Sequence, residues 1–342
     1  MQKRLKLGVL LACLVLLGGC ESSYIQDKDK KNVIYEKTGQ TLPKDILCKP
    51  EDKELLEIYK KYDKELKIKV DKLPICKNFK INSNKSSGIW EGLFVKPLAF
   101  LIIQLQRVVK NYGLSVIILG VLIRLLLVPF SKKTQIQAES MKKINPEIQK
   151  IERKYRDKTD NESMMAKSQE MMMLYKKYNF NPFSSCLLAF IQLPLFFAFF
   201  QALNRIPAIF EDSLLGMYLG TTPLIGIKNG QYIYIILVIL VFGTTYLSFK
   251  KSMSSTGNPE QDNQMKYMLI FMLVFIGMAS FNLSTAIALY WVSTNGFIAI
   301  QNVLIKKSIE RSEKKKKDSN YLITNRKKNN SSIKEKVNRK KR

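Results

Sequence analysis

Five apolar runs, each close to the thickness of a bilayer, dominate this chain: Tyr112 to Phe130, Phe183 to Leu203, Tyr232 to Phe249, Tyr267 to Phe281 and Ala286 to Ile305. About 20 apolar residues in helical form cross the ~30 Å hydrocarbon layer. In lipid, only a helix or a closed barrel satisfies its own backbone donors and acceptors. The pattern predicts an all-α polytopic membrane protein with five transmembrane helices. Charge is sorted along the same boundaries. Lysine and arginine number 56 against 28 acidic residues, a formal charge of +28, yet 46% of residues are hydrophobic. The 131 to 180 loop carries Lys132, Lys133, Lys142, Lys143, Lys150, Arg153 and Lys154, whereas the 204 to 230 loop has only Arg205 and Lys228 as basic residues. Basic loops remain in the cytoplasm. This places the N-terminus outside and the C-terminus inside.

At the N-terminus, Lys3, Arg4 and Lys6 precede the apolar run Leu7 to Leu17, which is too short for a permanent span and suits a signal peptide over 1–19. Leu17-Gly18-Gly19-Cys20 resembles a bacterial lipobox, which implies lipidation of Cys20 and an anchored, palmitate-type lipoprotein; an uncleaved signal anchor is the alternative. Residues 20–90 read as a loosely packed extracytoplasmic segment, with a short helical pattern over Glu54 to Leu66. On that oxidising side Cys48 and Cys76 can pair or remain two thiols. From 91 to 110, Leu93, Phe94, Leu98, Leu101, Ile102, Leu105 and Val109 recur at helical spacing between basic and amide residues. Such a stripe suits an amphipathic helix in the membrane interface. Residues 111–305 then form the five-helix core.

The five apolar runs contain no Asp or Glu, and Arg124 is the one charge well inside an apolar stretch. An arginine at mid-membrane costs about 2.5–3.5 kcal/mol on insertion scales, so it needs water, a partner or an escape route. Arg124 is six residues from Phe130, about 9 Å of helix, and could snorkel towards the cytoplasm. Gln192, Thr244, Thr245, Ser248, Trp291, Ser293, Thr294, Asn295 and Gln301 are further polar groups in these segments. Each alone reads as interhelical glue. Together with an unpaired arginine they predict a hydrated groove open to the cytoplasm.

Within residues 131–180, Met141, Ile144, Ile148, Ile151 and Tyr155 step by three and four, with Asn145-Pro146 placed to cap or restart the helix. Thr159 to Glu162 is a capping-box pattern opening a second helix on which Met164, Met171, Leu174 and Tyr178 form the matching face. A basic cytoplasmic hairpin is predicted, with Met165, Met172 and Met173 read as core filler in preference to an adaptable apolar surface. The tail, 306–342, is rich in Lys and Arg with few apolar residues, which predicts a disordered segment drawn to anionic lipid or to nucleic acid.

Composition excludes several activities. With no histidine in the chain there is no Ser-His-Asp triad and no imidazole zinc site. A Gly-x-x-x-x-Gly-Lys-Ser/Thr phosphate loop is missing, and Cys186 has no visible base. An ion-coupled transporter would need intramembrane carboxylates or broken helices in repeated halves, and neither is found. No enzyme, cofactor or metal is predicted.

The residues do resemble a known family, the YidC/Oxa/Alb membrane protein insertases of the five-helix lipoprotein type. The resemblance spans roughly Leu93 to Lys307 and rests on ordered blocks: Asn111-Tyr112-Gly113, Ile123-Arg124-Leu125-Leu126-Leu127-Val128-Pro129, Met141 with Asn145-Pro146-Glu147-Ile148, Leu174-Tyr175-Lys176-Lys177-Tyr178, Asn181-Pro182-Phe183, Cys186, Ile191-Gln192-Leu193-Pro194, and Leu289-Tyr290-Trp291 with Asn295 and Gln301. Ser284 and Ala286 stand where the family usually has Pro and Gly. The resemblance implies a substrate groove lined by Arg124, Gln192, Trp291, Tyr290, Thr245 and Asn295, with the hairpin, through Met141, Ile144, Ile148, Met164, Met171 and Leu174, as its cytoplasmic receiver. It also implies that nascent membrane proteins are the substrates, inserted alone or with the Sec translocon; ribosome or membrane-lipid association of the basic tail is read from its charge.

Overall fold

The computed structural model describes residues 24–83, 88–178, 180, 183–252 and 259–340, with several stretches, 183–191 and 316–340 the longest, described by their backbone alone. The expected signal peptide and the Cys20 lipidation site lie outside the described residues, as do Asn181 and Pro182.

Residues 24–83 pack tightly, which corrects the expectation of a loose segment. Strands β1 (Ile34–Tyr35) and β2 (Gln40–Thr41) pair antiparallel around Gly39, whose φ of 72° lies in the left-handed region. Helix α1 (Lys53–Lys61) starts at Asp52, whose carboxylate accepts from Leu55 N at 3.0 Å. Ile25, Tyr35, Leu42, Leu55, Tyr59 and Val70 are wholly buried and share one core with the helices that follow. Each such side chain contributes about 1.5–3 kcal/mol by leaving water. Cys48 and Cys76 form a disulfide, with Cα atoms 4.8 Å apart. This core was illegible in sequence because its spacers are single 3-10 turns, at Asp63–Glu65, Val70–Lys72 and Cys76–Asn78, which impose no period on the apolar residues.

A π-helical turn, Glu91–Val95, leads into α2 (Lys96–Val109), and α3 (Tyr112–Lys154) follows. Asn111 caps α3 by accepting from Leu114 N at 2.9 Å. Helix α3 runs unbroken for 43 residues, about 65 Å, so the first apolar run and the first arm of the hairpin are one rod. Asn145-Pro146 therefore neither caps nor restarts a helix; Pro129 and Pro146 both lie inside α3. Each proline removes a single amide donor and fixes φ at a helical value, which a long helix with packed neighbours tolerates.

Helix α4 (Asn161–Lys177) closes the hairpin; its cap is Asp160, not the expected Thr159, and accepts from Ser163 N at 2.8 Å. Then come α5 (Phe183–Asn204), α6 (Pro207–Glu211), the two-stranded β3 (Ser213–Leu214) and β4 (Met217–Tyr218), α7 (Pro223–Lys228), α8 (Ile233–Ser252), α9 (Pro259–Asn282) and α10 (Thr285–Lys340). Helix α10 packs along α8 and α3, α2 along α3, α5 against α2 and α3, and α9 against α8. Helix α10 is tied at its start by Thr285 N to Thr221 O at 2.9 Å and Ala286 N to Leu219 O at 3.0 Å. It continues to Lys340, which corrects the expected disordered tail; no Gly or Pro follows Gly296, and lysine, arginine and glutamate are good helix formers.

Among the described residues, three segments are long and apolar enough to cross a membrane: Glu91–Val109, Tyr112–Gln137 and Ile233–Lys250, with Lys266–Asn282 a shorter apolar helix. The first of these was expected to lie in the interface, yet by length and composition it meets the requirement for a span.

Candidate functional site

Arg124 stands half-way along the 26-residue apolar segment Tyr112–Gln137, about 18 Å of helix from its start. Its guanidinium reaches across to a neighbouring helix. The residue is 7% exposed, and its Nη2 donates to the side-chain oxygen of Gln192 on α5. Tyr290 of α10, 1% exposed, lies close enough to interact electrostatically with Arg124 and stacks on Phe199 of α5 at 4.3 Å between ring centroids. One helical turn before Arg124, Gly120 allows the close approach of α10: a Cβ there would meet Thr294 Cγ2 at 3.1 Å. The Nε of Arg124 has no acceptor among the described residues. The site thus holds one enclosed cation with a neutral amide partner and a residual donor.

A second polar cluster joins α8 to α10. Trp291 Nε1 donates to Thr245 Oγ1 at 3.0 Å, and the Trp291 ring meets Phe196 edge-on at 5.3 Å. Ser248 Oγ donates to Asn295 Oδ1 at 3.1 Å, Asn302 Nδ2 to the Ser248 carbonyl at 3.5 Å, and Gln135 Nε2 to Asn302 Oδ1. Of the six expected groove residues, Arg124, Gln192 and Tyr290 form one cluster, and Thr245, Trp291 and Asn295 the other. Gln135 and Asn302 were missed. Both were legible in principle, since Gln135 is eleven residues beyond Arg124 and Asn302 seven beyond Asn295, spacings that return to the same helix face. Gln135 lies beyond Phe130, the end of the first apolar run, whereas Asn302 lies inside the fifth and is marked out only by the partners that packing brings to it.

In the hairpin, Ile144, Ile148, Leu174 and Phe180 form a separate buried cluster, with Met141, Ile151, Met171 and Tyr175 packed on it. Met164 is not on this face: it is 58% exposed, and Met165, Met172 and Met173 are exposed as well, which corrects their reading as filler. The hairpin is short and two-layered, so only one stripe of α4 finds a partner. Two ion pairs flank the seam. Glu170 accepts from Lys154 and from the Tyr155 hydroxyl, and Glu147 accepts from the Tyr178 hydroxyl and from Lys177 at 3.1 Å. These donors hold both carboxyls below the usual glutamate range: Lys154 first and then Tyr155 for Glu170, Tyr178 first and then Lys177 for Glu147.

At the other end, Arg205 closes α5 with its guanidinium 2.5 Å from Asp45 of the N-terminal unit and 3.7 Å from Glu91, all three buried. Burial pushes the Asp45 carboxyl up, against the opposing pull of Arg205 and Lys67.

Long apolar helices around an enclosed, hydrogen-bonded cation define a membrane-embedded helical protein with a polar interior. Residues 104–314 match the model of the 60Kd inner membrane protein family, and the chain belongs to that family. It is 36% identical over 224 residues to the membrane protein insertase YidC of Oceanobacillus iheyensis, covering 65% of this chain and 85% of that protein. It is likewise 36% identical over 222 residues to the membrane protein insertase MisCA of Bacillus subtilis, covering 65% and 80%. With the membrane protein insertase YidC 2 of Bacillus anthracis the identity is 35% over 223 residues, 65% and 83% of the two chains.

Proposed function

We propose that this chain is a membrane protein insertase whose substrates are nascent membrane proteins, and that Arg124 is the centre of its substrate path. A substrate's short polar region would enter between α3, α5 and α10, where Arg124, Gln192, Tyr290, Trp291, Thr245 and Asn295 offer polar contacts, while its apolar segment leaves laterally into lipid. Twenty apolar residues at about -0.5 kcal/mol each favour lipid, whereas one Asp at mid-membrane opposes by about 3 kcal/mol. A local polar path is needed only for that transient penalty. Net insertion is driven by partitioning, by synthesis or by the membrane potential, and no covalent chemistry is involved.

The observation that carries this reading is the enclosed Arg124 at mid-span, held by an uncharged partner. A cation paired with a carboxylate would be neutralised; paired with Gln192 it keeps its charge for an acidic substrate tail. The same reading has five crossings, with 1–19 removed, Cys20 lipidated, the unit at 20–90 outside, 91–110 in the interface, the core at 111–305 with its groove open to the cytoplasm, and the hairpin at 131–180 and tail at 306–342 inside. The Cys48–Cys76 disulfide supports an oxidising location for the N-terminal unit. The basic tail would meet ribosomal phosphates or lipid, with the Sec translocon an optional partner.

The test is insertion of an acidic-tailed substrate into reconstituted vesicles by Arg124→Ala and Arg124→Lys. Loss in the alanine variant with recovery in the lysine variant is expected. Full insertion by Arg124→Ala would discard the attraction step.

A further inference from the structure

The hydrogen bond at the Arg124 site joins two helices at one depth. Arg124 lies twelve residues after Tyr112, where α3 begins, and Gln192 lies twelve residues before Asn204, where α5 ends. At 1.5 Å per residue, each side chain is carried about 18 Å from that end of its helix. The bond between them therefore needs the two ends to stand level. A slip of α3 along α5 by a single residue's rise, about 1.5 Å, is half the usual donor–acceptor distance.

One short segment joins those two ends. After Arg205 the chain turns through Ile206 into α6, whose five residues are about 7.5 Å long, near the separation of about 8–10 Å between packed helix axes. Asp212 follows α6, and its Oδ2 accepts from the backbone N of Tyr112 at 2.6 Å. Helix α3 does not need this carboxylate as its cap, because Asn111 fills that position by accepting from Leu114 N. Asp212 is itself fixed: its Oδ1 accepts from Ser213 N at 2.7 Å and from Asn111 Nδ2 at 3.4 Å, and Asn111 Nδ2 also donates to the Ser213 carbonyl at 2.7 Å. The joint is tight, since a Cβ on Gly113 would meet Leu214 Cβ of β3 at 2.9 Å. On the α5 side, the Arg205 carbonyl accepts from Leu47 N at 2.8 Å and its guanidinium is paired with Asp45. Residues 205–212 thus hold the end of α5 through the chain and the start of α3 through Asp212.

We propose that Asp212 is a positioning residue for the substrate site. Through the Tyr112 amide it fixes the axial register of α3 against α5, and so keeps Arg124 level with Gln192. The inference rests on the reading of Arg124 as the centre of the substrate path, and it adds to that reading the residue that sets the depth of the charge.

The test is the melting temperature of the full chain in detergent, with insertion assayed alongside. Substitutions about 18 Å apart with no shared partner ordinarily add. If Asp212→Ala puts Arg124 out of level with Gln192, the drop in Tm caused by Gln192→Leu should at least halve in the Asp212→Ala chain. Gly113→Ala disturbs the same joint from the other side and should do likewise. Asp212→Asn, whose amide oxygen can still accept from Tyr112 N, should restore the full drop. The control is Glu211→Ala: Glu211 lies in the same segment but binds the backbone N of Glu51 and Asp52 instead of α3, so its loss should add to that of Gln192→Leu. Additive losses in Asp212→Ala, no recovery in Asp212→Asn, or the same halving in Glu211→Ala would each overturn the proposal. In reconstituted vesicles Asp212→Ala should insert an acidic-tailed substrate about tenfold more slowly, the worth of one hydrogen bond to a charged group. Parent-level insertion by Asp212→Ala beside an inactive Arg124→Ala would also overturn it. Full insertion by Arg124→Ala would remove the substrate reading alone, and the Tm coupling would then decide whether Asp212 sets the register.

Discussion

Arg124 on α3 donates to the side-chain oxygen of Gln192 on α5, and this one hydrogen bond ties the charge at mid-span to a neighbouring helix. Gln192→Leu leaves the guanidinium enclosed without its partner, and hydrogen bonds to charged groups are worth about 1.5–3 kcal/mol. Thermal unfolding in detergent should show a destabilisation of that order. The double variant Arg124→Met with Gln192→Leu removes charge and partner together and should recover most of the loss. A double variant no more stable than Gln192→Leu would mean that the glutamine packs rather than pairs.

The α8–α10 seam rests on shared amides. Asn302→Leu breaks the contacts to the Ser248 carbonyl and to Gln135 at once. Interhelical hydrogen bonds in membranes average about 0.6 kcal/mol, so a loss near 1 kcal/mol is expected. An equal loss in a background already carrying Gln135→Leu and Ser248→Ala would show that the backbone contact dominates.

Reducing the Cys48–Cys76 bond opens a loop whose ends are separated by 28 positions in sequence. Loop-closure entropy predicts a loss of about 3.5 kcal/mol, confined to the N-terminal unit. Limited proteolysis after reduction should cut within residues 24–83 before it cuts the helices. Simultaneous cleavage throughout would place the N-terminal unit, which caps the bundle, and the helices in one cooperative unit.

Asp45 and Arg205 dock the cap on α5. Asp45→Ala strands a buried guanidinium that has Glu91 at 3.7 Å as its remaining carboxylate, and breaking a buried pair costs about 3–5 kcal/mol. Proteolysis of the cap should accelerate; if Asp45→Asn does so equally, charge is what matters.

The two ends should respond to acid with opposite signs. Glu147 and Glu170 titrate below their ordinary value of 4.5, so their contribution is complete above that pH and is lost as pH falls through the lowered values. Asp45 titrates above its ordinary 3.8, so its burial cost is fully present at neutral pH and is relieved as the solution is acidified through the raised value. Hydrogen exchange, corrected for intrinsic pH dependence, should show α4 loosening in acid, and the Glu147→Gln, Glu170→Gln variant should lose that response. Unchanged protection of α4 in the parent chain would dismiss the ion pairs as contributors.

The apolar runs, the odd arginine and the hairpin stripe were legible from residue order because bilayer length and helical period act locally along the chain. The Ile144, Ile148 and Leu174 seam shows this, as does the helical form of each long apolar run. What one residue touches on another helix is not local. Gln192 became the partner of Arg124, Asn302 was gathered with Ser248 and Gln135, and four methionines were left outside the seam only when the helices took their relative positions. The cap went unread for the same reason. Its apolar residues are spaced by turns rather than by a period, so only long-range packing, sealed by Cys48–Cys76 and Asp45–Arg205, could specify it.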